Sequence, residues 1–248
     1  STMCGHGIIS LTKVVLETGM YDKIEPITKI KIDTPSGLVT AYAKIVNQKV
    51  DSIFFDNVES FILSENKIIE IPNLGKINYD VAFGGAFYAF VNADEIGLEL
   101  VEKNYREIIE KGMIIKNEIM KNCELKHPTN DELSFLYGTI FYSKPKNESN
   151  FSRHVCVFAN GEVDRSPTGT GVSARAAILY SKNQIGLNQK VTIESIIDTS
   201  FSVEVIKESD NHKYKAIIPR VEGNAFIISK NTFYLDPEDP LKNGFFLR

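Results

Sequence analysis

The chain has 248 residues, 43% hydrophobic and 24% charged, an ordinary globular balance with core enough for one large domain or two small ones. A formal net charge of −4 offers neither the basic face that nucleic acid requires nor a polybasic membrane anchor. No apolar run approaches the roughly 20 residues that span a bilayer, no signal peptide is visible, and three cysteines without a pairing pattern suit a reducing compartment, so the expected location is the cytoplasm.

Thr2-Met3-Cys4-Gly5-His6-Gly7-Ile8 begins the chain as a glycine-rich turn. After it, Ile8, Leu11, Val14, Val15 and Leu16 keep helical spacing up to Gly19, which predicts a helix over about 7–18. Ile24 to Ile32, Leu38 to Val46 and Asp51 to Leu63 are rich in Val, Ile and Phe and read as strands, with a turn signal at Thr34-Pro35-Ser36-Gly37. A hairpin is expected from Ile68 to Phe83 around Asn73-Leu74-Gly75. Gly84 and Gly85 interrupt the next strand, where either a β-bulge or a close backbone approach to a ligand accounts for them. Ala93 to Lys121 carries the longest helical pattern, with Asp94 as N-cap and Gly112 as a break. In it Ile96, Leu98, Leu100, Val101, Ile108 and Ile109 are packing residues, while Glu102, Lys103, Arg106, Glu107 and Glu110 form a solvated face. Leu133 to Tyr142 and His154 to Ala159 read as strands on either side of a polar loop, and the second leads through Asn160-Gly161 to another glycine-rich turn. An Ala-rich helix over about 171–182 follows. Lys190 to Phe246 then alternates in short β-like runs broken at Asp210-Asn211, Gly223-Asn224, Pro237 and Pro240.

The second turn, Asp164-Arg165-Ser166-Pro167-Thr168-Gly169-Thr170-Gly171-Val172, lays onto the first residue by residue. Cys4 falls on Thr168, Gly5 on Gly169, His6 on Thr170 and Gly7 on Gly171. Each turn is a nucleophile-type side chain, then Gly-x-Gly, then a helix. Glycines let the backbone come close to a ligand, and the free N–H groups of a helix start favour an anion. Two such starts facing each other would hold one carboxylate between two related halves. Thiols at helix N-termini ionise more readily than free ones, which fits Cys4 to act as a base near neutral pH. The aliphatic hydroxyl of Thr168 has no comparable acidity. One strong proton acceptor is expected, not two.

Other sites fare worse. Gly169-x-Gly171-x-x-Ala174 with Glu194 further on fits a dinucleotide fingerprint, but Asn160 to Thr168, with Pro167, separate it from its strand, and regular βαβ alternation is missing. Cys123 and Cys156 lack a reactive-turn context and read as buried or half-buried residues. His127, His154 and His212 show no metal spacing, and Cys4-x-His6 is too short for a zinc site, so neither a metal nor a cofactor is expected.

At MCGHG and DRSPTGTG the sequence resembles the proline racemase family, with ESII (Glu194 to Ile197) and FYLDPEDP similar to its later landmarks, over essentially the whole chain. Racemases and hydroxyproline epimerases of that family carry cysteine in both motifs. The form with threonine in the second resembles trans-3-hydroxy-L-proline dehydratase. The resemblance implies an α+β, two-lobed, diaminopimelate-epimerase-like fold, each lobe a curved sheet around a central helix, with the first lobe over about 1–62 plus a return at 230–248 and the second over 63–229. It implies a small imino-acid substrate bound between the lobes, Cys4 and Thr168 as the catalytic pair, and Gly5, His6, Phe158, Asp164, Gly169 and Thr170 as substrate-binding residues. Capping of its own helix by His6 and pairing of Asp164 with Arg165 are the structural alternatives for those two. A homodimer and a further N-terminal portion ahead of Ser1 are also implied. Asp198 and Val203 depart from the family pattern, standing where glycine is expected. The alternatives are a racemase or epimerase of proline or 4-hydroxyproline, and a catalytically silent amino-acid-binding protein.

Overall fold

The computed structural model describes residues 3–209 and 214–245. Among the described residues three α-helices, α1 (Gly5–Glu17), α2 (Tyr105–Asn122) and α3 (Gly169–Ser181), stand among twelve strands. The strands are β1 (Ile27–Thr34), β2 (Gly37–Val46), β3 (Lys49–Asp56), β4 (Ser60–Ile71), β5 (Gly75–Phe83), β6 (Phe87–Asn92), β7 (Leu136–Ser143), β8 (Ser152–Phe158), β9 (Glu162–Val163), β10 (Val191–Glu194), β11 (Ser200–Ser209) and β12 (Ala216–Gly223). Eleven of them run in the order β1-β2-β3-β12-β11-β10-β8-β7-β6-β5-β4, and β12 pairs with β4 as well. That last pairing, Ala216 with Phe61 and Ile217 with Ser60, closes the strands from β4 round to β12 into a ring. The fold is α+β and of the two-lobed, diaminopimelate-epimerase-like kind.

The sequence of α3 explains its place. Apart from Arg175 it is apolar or small on every side, and every residue from Gly169 to Leu179 is buried, so it belongs inside a closed sheet rather than on a surface. It packs against β4, β5, β6, β11 and β12. In contrast α1 buries one face, Ile8, Ile9, Thr12 and Leu16, against β2 and β3, and leaves Leu11 and Val14 exposed. The helix α2 covers the outside of the ring over β7 and β8 and supplies the crossover that a parallel β6–β7 pair requires.

Several elements differ from expectation for identifiable reasons. Ala93 to Asn104 is not helical in the α sense: Asp94 starts a 3₁₀ turn that ends at Gly97 in the left-handed region, and the regular helix begins only at Tyr105. Leu98, Leu100 and Ile108 are nevertheless buried, and the charged face at 102–110 is exposed. Gly112 does not break α2. A Cβ there would lie 2.7 Å from that of Val157, so glycine lets helix and sheet touch. The expected strand 51–63 is cut at Asn57, whose buried amide donates to Gly84 O (2.8 Å) and to Ser173 Oγ (2.7 Å). Gly84 and Gly85 form a tight link between β5 and β6 that lies on the first turn of α3, where a Cβ at Gly84 would sit 2.4 Å from Ala174 N. The segment 224–245 has no regular element, and Asp210, Asn211, His212 and Phe246 lie outside the described residues.

Glu222 on β12 joins three neighbours, accepting from Lys44 (2.7 Å), Ser52 (2.9 Å) and Lys190 (2.7 Å). Burial pushes its carboxyl up, but the bonds from Lys190, Lys44 and Ser52 prevail and hold it at about 2. A depressed carboxylate contributes stability above its unfolded value and loses it as pH falls through the folded one. Glu222→Gln is therefore expected to flatten the acid limb of stability between about pH 5 and pH 2. Urea titrations across that range check it; an unchanged acid limb would show that the cluster contributes nothing.

Candidate active site

The two helix starts predicted to face each other do so at backbone contact. A Cβ built on Gly5 would lie 2.7 Å from Gly169 Cα, and one on Gly169 would lie 2.8 Å from Gly5 Cα and 3.1 Å from His6 N. Only glycine at both positions lets the first turns of α1 and α3 meet in this way. The helix-start N–H groups of Gly5, His6, Gly169 and Thr170, which lack intrahelical partners, are thereby concentrated in one place, and such groups favour an anion.

Cys4 and Thr168 are the N-caps of the two helices, and they are not alike. Cys4 has ordinary extended backbone (φ −110°, ψ 109°), is exposed, and its Sγ accepts from Gly7 N at 3.3 Å. Thr168 is buried and has φ +71°, ψ 102°, a conformation that costs a β-branched residue on the order of 1–3 kcal/mol. Its side chain makes no capping bond to its helix. Instead Thr168 Oγ1 donates to Asp164 Oδ2 at 2.9 Å, while Asp164 Oδ1 accepts from Ser166 N at 2.8 Å. Asp164 thus organises the turn through Ser166 and Thr168 rather than through Arg165. Asp164→Ala is expected to cost about 1–3 kcal/mol from these two bonds, and Asp164→Asn less, because its carbonyl oxygen still accepts from Ser166 N. Thermal melts of the two variants check the order; equal losses would contradict it.

His6 does not cap its helix. Its Nε2 lies 3.3 Å from Asn224 O and its ring meets Phe201 edge-on at 5.2 Å. Thr170, its counterpart, holds the hydroxyl of the fully buried Tyr88 at 2.7 Å. Phe158 stacks on Tyr137 at 5.5 Å, and Tyr137 meets Tyr88 at 5.8 Å. Burial raises the Tyr137 hydroxyl pKa, and the nearby carboxylates of Asp164 and Glu162 add to the rise. Tyr88 and Tyr137 therefore belong to the aromatic side of this site. Sequence reasoning missed both; the signal available for Tyr88 was the glycine pair just before it.

Cys156 lies behind Thr168. It is buried, and desolvation, with Asp164 nearby, pushes its thiol far up, so it is not a second base. Glu194 is consumed by structure: it accepts from Lys146 N, Asn147 N, Asn150 Nδ2 and Arg153 Nε, which leaves nothing for a ribose. Asp198 is in the left-handed region (φ +62°), where glycine is at ease, and its carboxylate binds Arg153 and Lys146. Val203 is a buried core residue of β11. No group of three or more His, Cys, Asp or Glu residues able to hold a metal occurs among the described residues, and none of their helices is long and apolar enough to cross a membrane. A cavity of about 920 Å³ lies at the other end of α3, lined by Tyr180, Ser181, Glu208 and Lys215 among others. The C-terminal end of α3, not a helix start, lines that cavity.

A closed sheet around one helix, with a second helix meeting it start to start, defines a two-lobed α+β protein with paired helix N-termini. The chain belongs to the proline racemase family, whose model matches residues 1–246. A trans-3-hydroxy-L-proline dehydratase of Colwellia psychrerythraea is 44% identical over 248 residues, covering 100% of this chain and 70% of that protein. A proline racemase of Acetoanaerobium sticklandii is 39% identical, covering 98% and 73%. The crystal structure of a hydroxyproline epimerase from Agrobacterium vitis with bound trans-4-hydroxy-L-proline superposes with a TM-score of 0.92 at 32% identity, covering 99% of this chain and 70% of that one.

Proposed function

We propose that this chain dehydrates trans-3-hydroxy-L-proline to Δ1-pyrroline-2-carboxylate without a cofactor, in a cleft between a lobe of about 1–62 plus 230–248 and a lobe of 63–229. The observation that carries the reading is the asymmetry of the two caps: a free, exposed thiol at Cys4 and, opposite, a hydroxyl already committed to Asp164. Inversion at the α-carbon needs a proton donor on the face opposite the base, and Thr168 is a poor one. Elimination needs a base on one face only.

In this mechanism the N–H groups of Gly5, His6, Gly169 and Thr170 hold the carboxylate and stabilise the negative charge that develops on it. Phe158, backed by Tyr137, packs against the ring, and His6 and Asp164 line the site. The Cys4 thiolate takes the α-proton, forming S–H and breaking C–H. In the trans isomer the 3-hydroxyl is on the same face of the ring as that proton. The new thiol therefore stands where it can return the proton to the departing hydroxyl. Water leaves, the C2–C3 double bond forms, the thiolate is regenerated, and the enamine tautomerises to the pyrroline.

The likeness to a proline racemase and to a hydroxyproline epimerase supports a second reading, inversion of proline or 4-hydroxyproline. Incubation with each of the three imino acids, followed by o-aminobenzaldehyde detection of the pyrroline and chiral chromatography, separates the two. Pyrroline from the 3-hydroxy substrate alone is expected. D-configured product from L-proline or trans-4-hydroxy-L-proline overturns the dehydratase assignment.

A further inference from the structure

We infer that the same site carries a second activity: exchange of the α-hydrogen of L-imino acids that lack a 3-hydroxyl, with retention of configuration. The inference rests on the proposed role of Cys4 as base and adds what happens when nothing can be eliminated.

The two turns correspond in sequence position by position, and although the backbone differs at the caps (φ −110° at Cys4, +71° at Thr168), the glycine three residues on gives a common reference for what each cap presents. Sγ of Cys4 lies 3.4 Å from a Cβ built on Gly7, and Cγ2 of Thr168 lies 3.1 Å from a Cβ built on Gly171. Of the two γ atoms of Thr168, the methyl is nearer to this point than the hydroxyl is. The Thr168 hydroxyl is turned away to Asp164, and no capping bond draws it back over Gly171. Thr168 is only 6% exposed, which leaves little room for a water to stand in for the missing donor. The face of the bound ring opposite Cys4 is therefore met by C–H groups that hold no exchangeable proton. The second thiol in this region, Cys156, is buried behind Thr168 and hydrogen-bonded to it, and burial makes it too weak an acid to hand its proton to the ring.

The consequences follow for L-proline. The Cys4 thiolate takes the α-proton, and the pair of electrons left on the α-carbon is delocalised into the carboxylate held by the two helix starts. No leaving group is present, so the only way forward is return of a proton. Cys4 is exposed, and thiol protons exchange with water quickly, so in deuterated water the group that hands hydrogen back is S–D. It does so on the face from which the proton came. One C–H bond is replaced by one C–D bond, no co-reactant is consumed, and configuration is kept.

The test uses the whole protein with L-proline in deuterated water, following the α-proton by NMR and the configuration by chiral chromatography, with pyrroline formation from trans-3-hydroxy-L-proline measured on the same preparation. Loss of the α-proton signal with only L-proline recovered is the expected result. α-Deuterated D-proline would overturn the inference, because it requires a donor on the Thr168 face. Pyrroline formation without any exchange into L-proline would also overturn it while leaving the dehydratase assignment standing, and a preparation that does neither contradicts both. Thr168→Cys supplies a second readout: with sulfur in place of the methyl, the recovered deuterated proline is expected to include the D-form, and retention in that variant would contradict the placement of Thr168 opposite Cys4.

Discussion

Cys4→Ser is expected to reduce dehydration of trans-3-hydroxy-L-proline by about 10³-fold or more, the size of effect that loss of a positioned general base produces. The substitution is conservative in every other respect. Serine is a good N-cap, and its oxygen can accept from Gly7 N as the sulfur does now at 3.3 Å. Cys4 is exposed, so no cavity is opened. The melting temperature should therefore stay close to that of the parent while turnover disappears, because a serine hydroxyl holds its proton far more tightly than a thiol. Steady-state rates with a parallel thermal melt check this. A serine variant that retains a tenth of the activity would show that the α-proton goes elsewhere.

The second large effect is expected from one methyl group at the helix contact. In Gly5→Ala the new Cβ meets Gly169 Cα at 2.7 Å, Gly169 C at 2.8 Å and Thr170 N at 3.0 Å. All three are backbone atoms of a fully buried helix and cannot turn aside as a side chain would. The two starts must part, which costs on the order of 1–3 kcal/mol in strain and spoils the N–H cluster proposed to hold the carboxylate. KM should rise and turnover fall together, and Gly169→Ala should do the same from the other side. Gly186→Ala is the control: its Cβ finds nothing nearer than Gln189 Oε1 at 3.6 Å, so neither stability nor rate should change. A Gly5→Ala enzyme with parental KM would mean that the carboxylate is not bound at this contact.

The core of the site was legible because it is written twice. Gly-x-Gly after a nucleophile-type residue, with an apolar helix behind, recurs at Cys4 and at Thr168, and the contact of Gly5 with Gly169 is what that duplication implied. Helix identity was legible too, since α1 and α3 begin within two residues of expectation. What was not legible depends on distant pairings. Nothing local announces that Asn57 ties the 84–85 link to Ser173, or that Tyr88 supports Thr170 and Tyr137 backs Phe158. Nor does local pattern reveal that Ala93 to Asn104, though spaced like a helix, is drawn into 3₁₀ turns. Leu98 and Leu100 reach the core from that irregular path, and burial prevailed over periodicity. Glu194 shows the reverse error a motif invites. Its spacing from Gly169 suits a ribose, yet four donors from the 146–153 segment already occupy its carboxylate.

The central claim is that one base serves one face. NMR of the protein with trans-3-hydroxy-L-proline in deuterated water tests it most directly, with L-proline and trans-4-hydroxy-L-proline run beside it. The account predicts Δ1-pyrroline-2-carboxylate from the 3-hydroxy substrate and no D-configured product from the other two. Accumulation of α-deuterated D-proline, or of the epimer of 4-hydroxyproline, would contradict it, since either requires a proton delivered from the side where Thr168 stands.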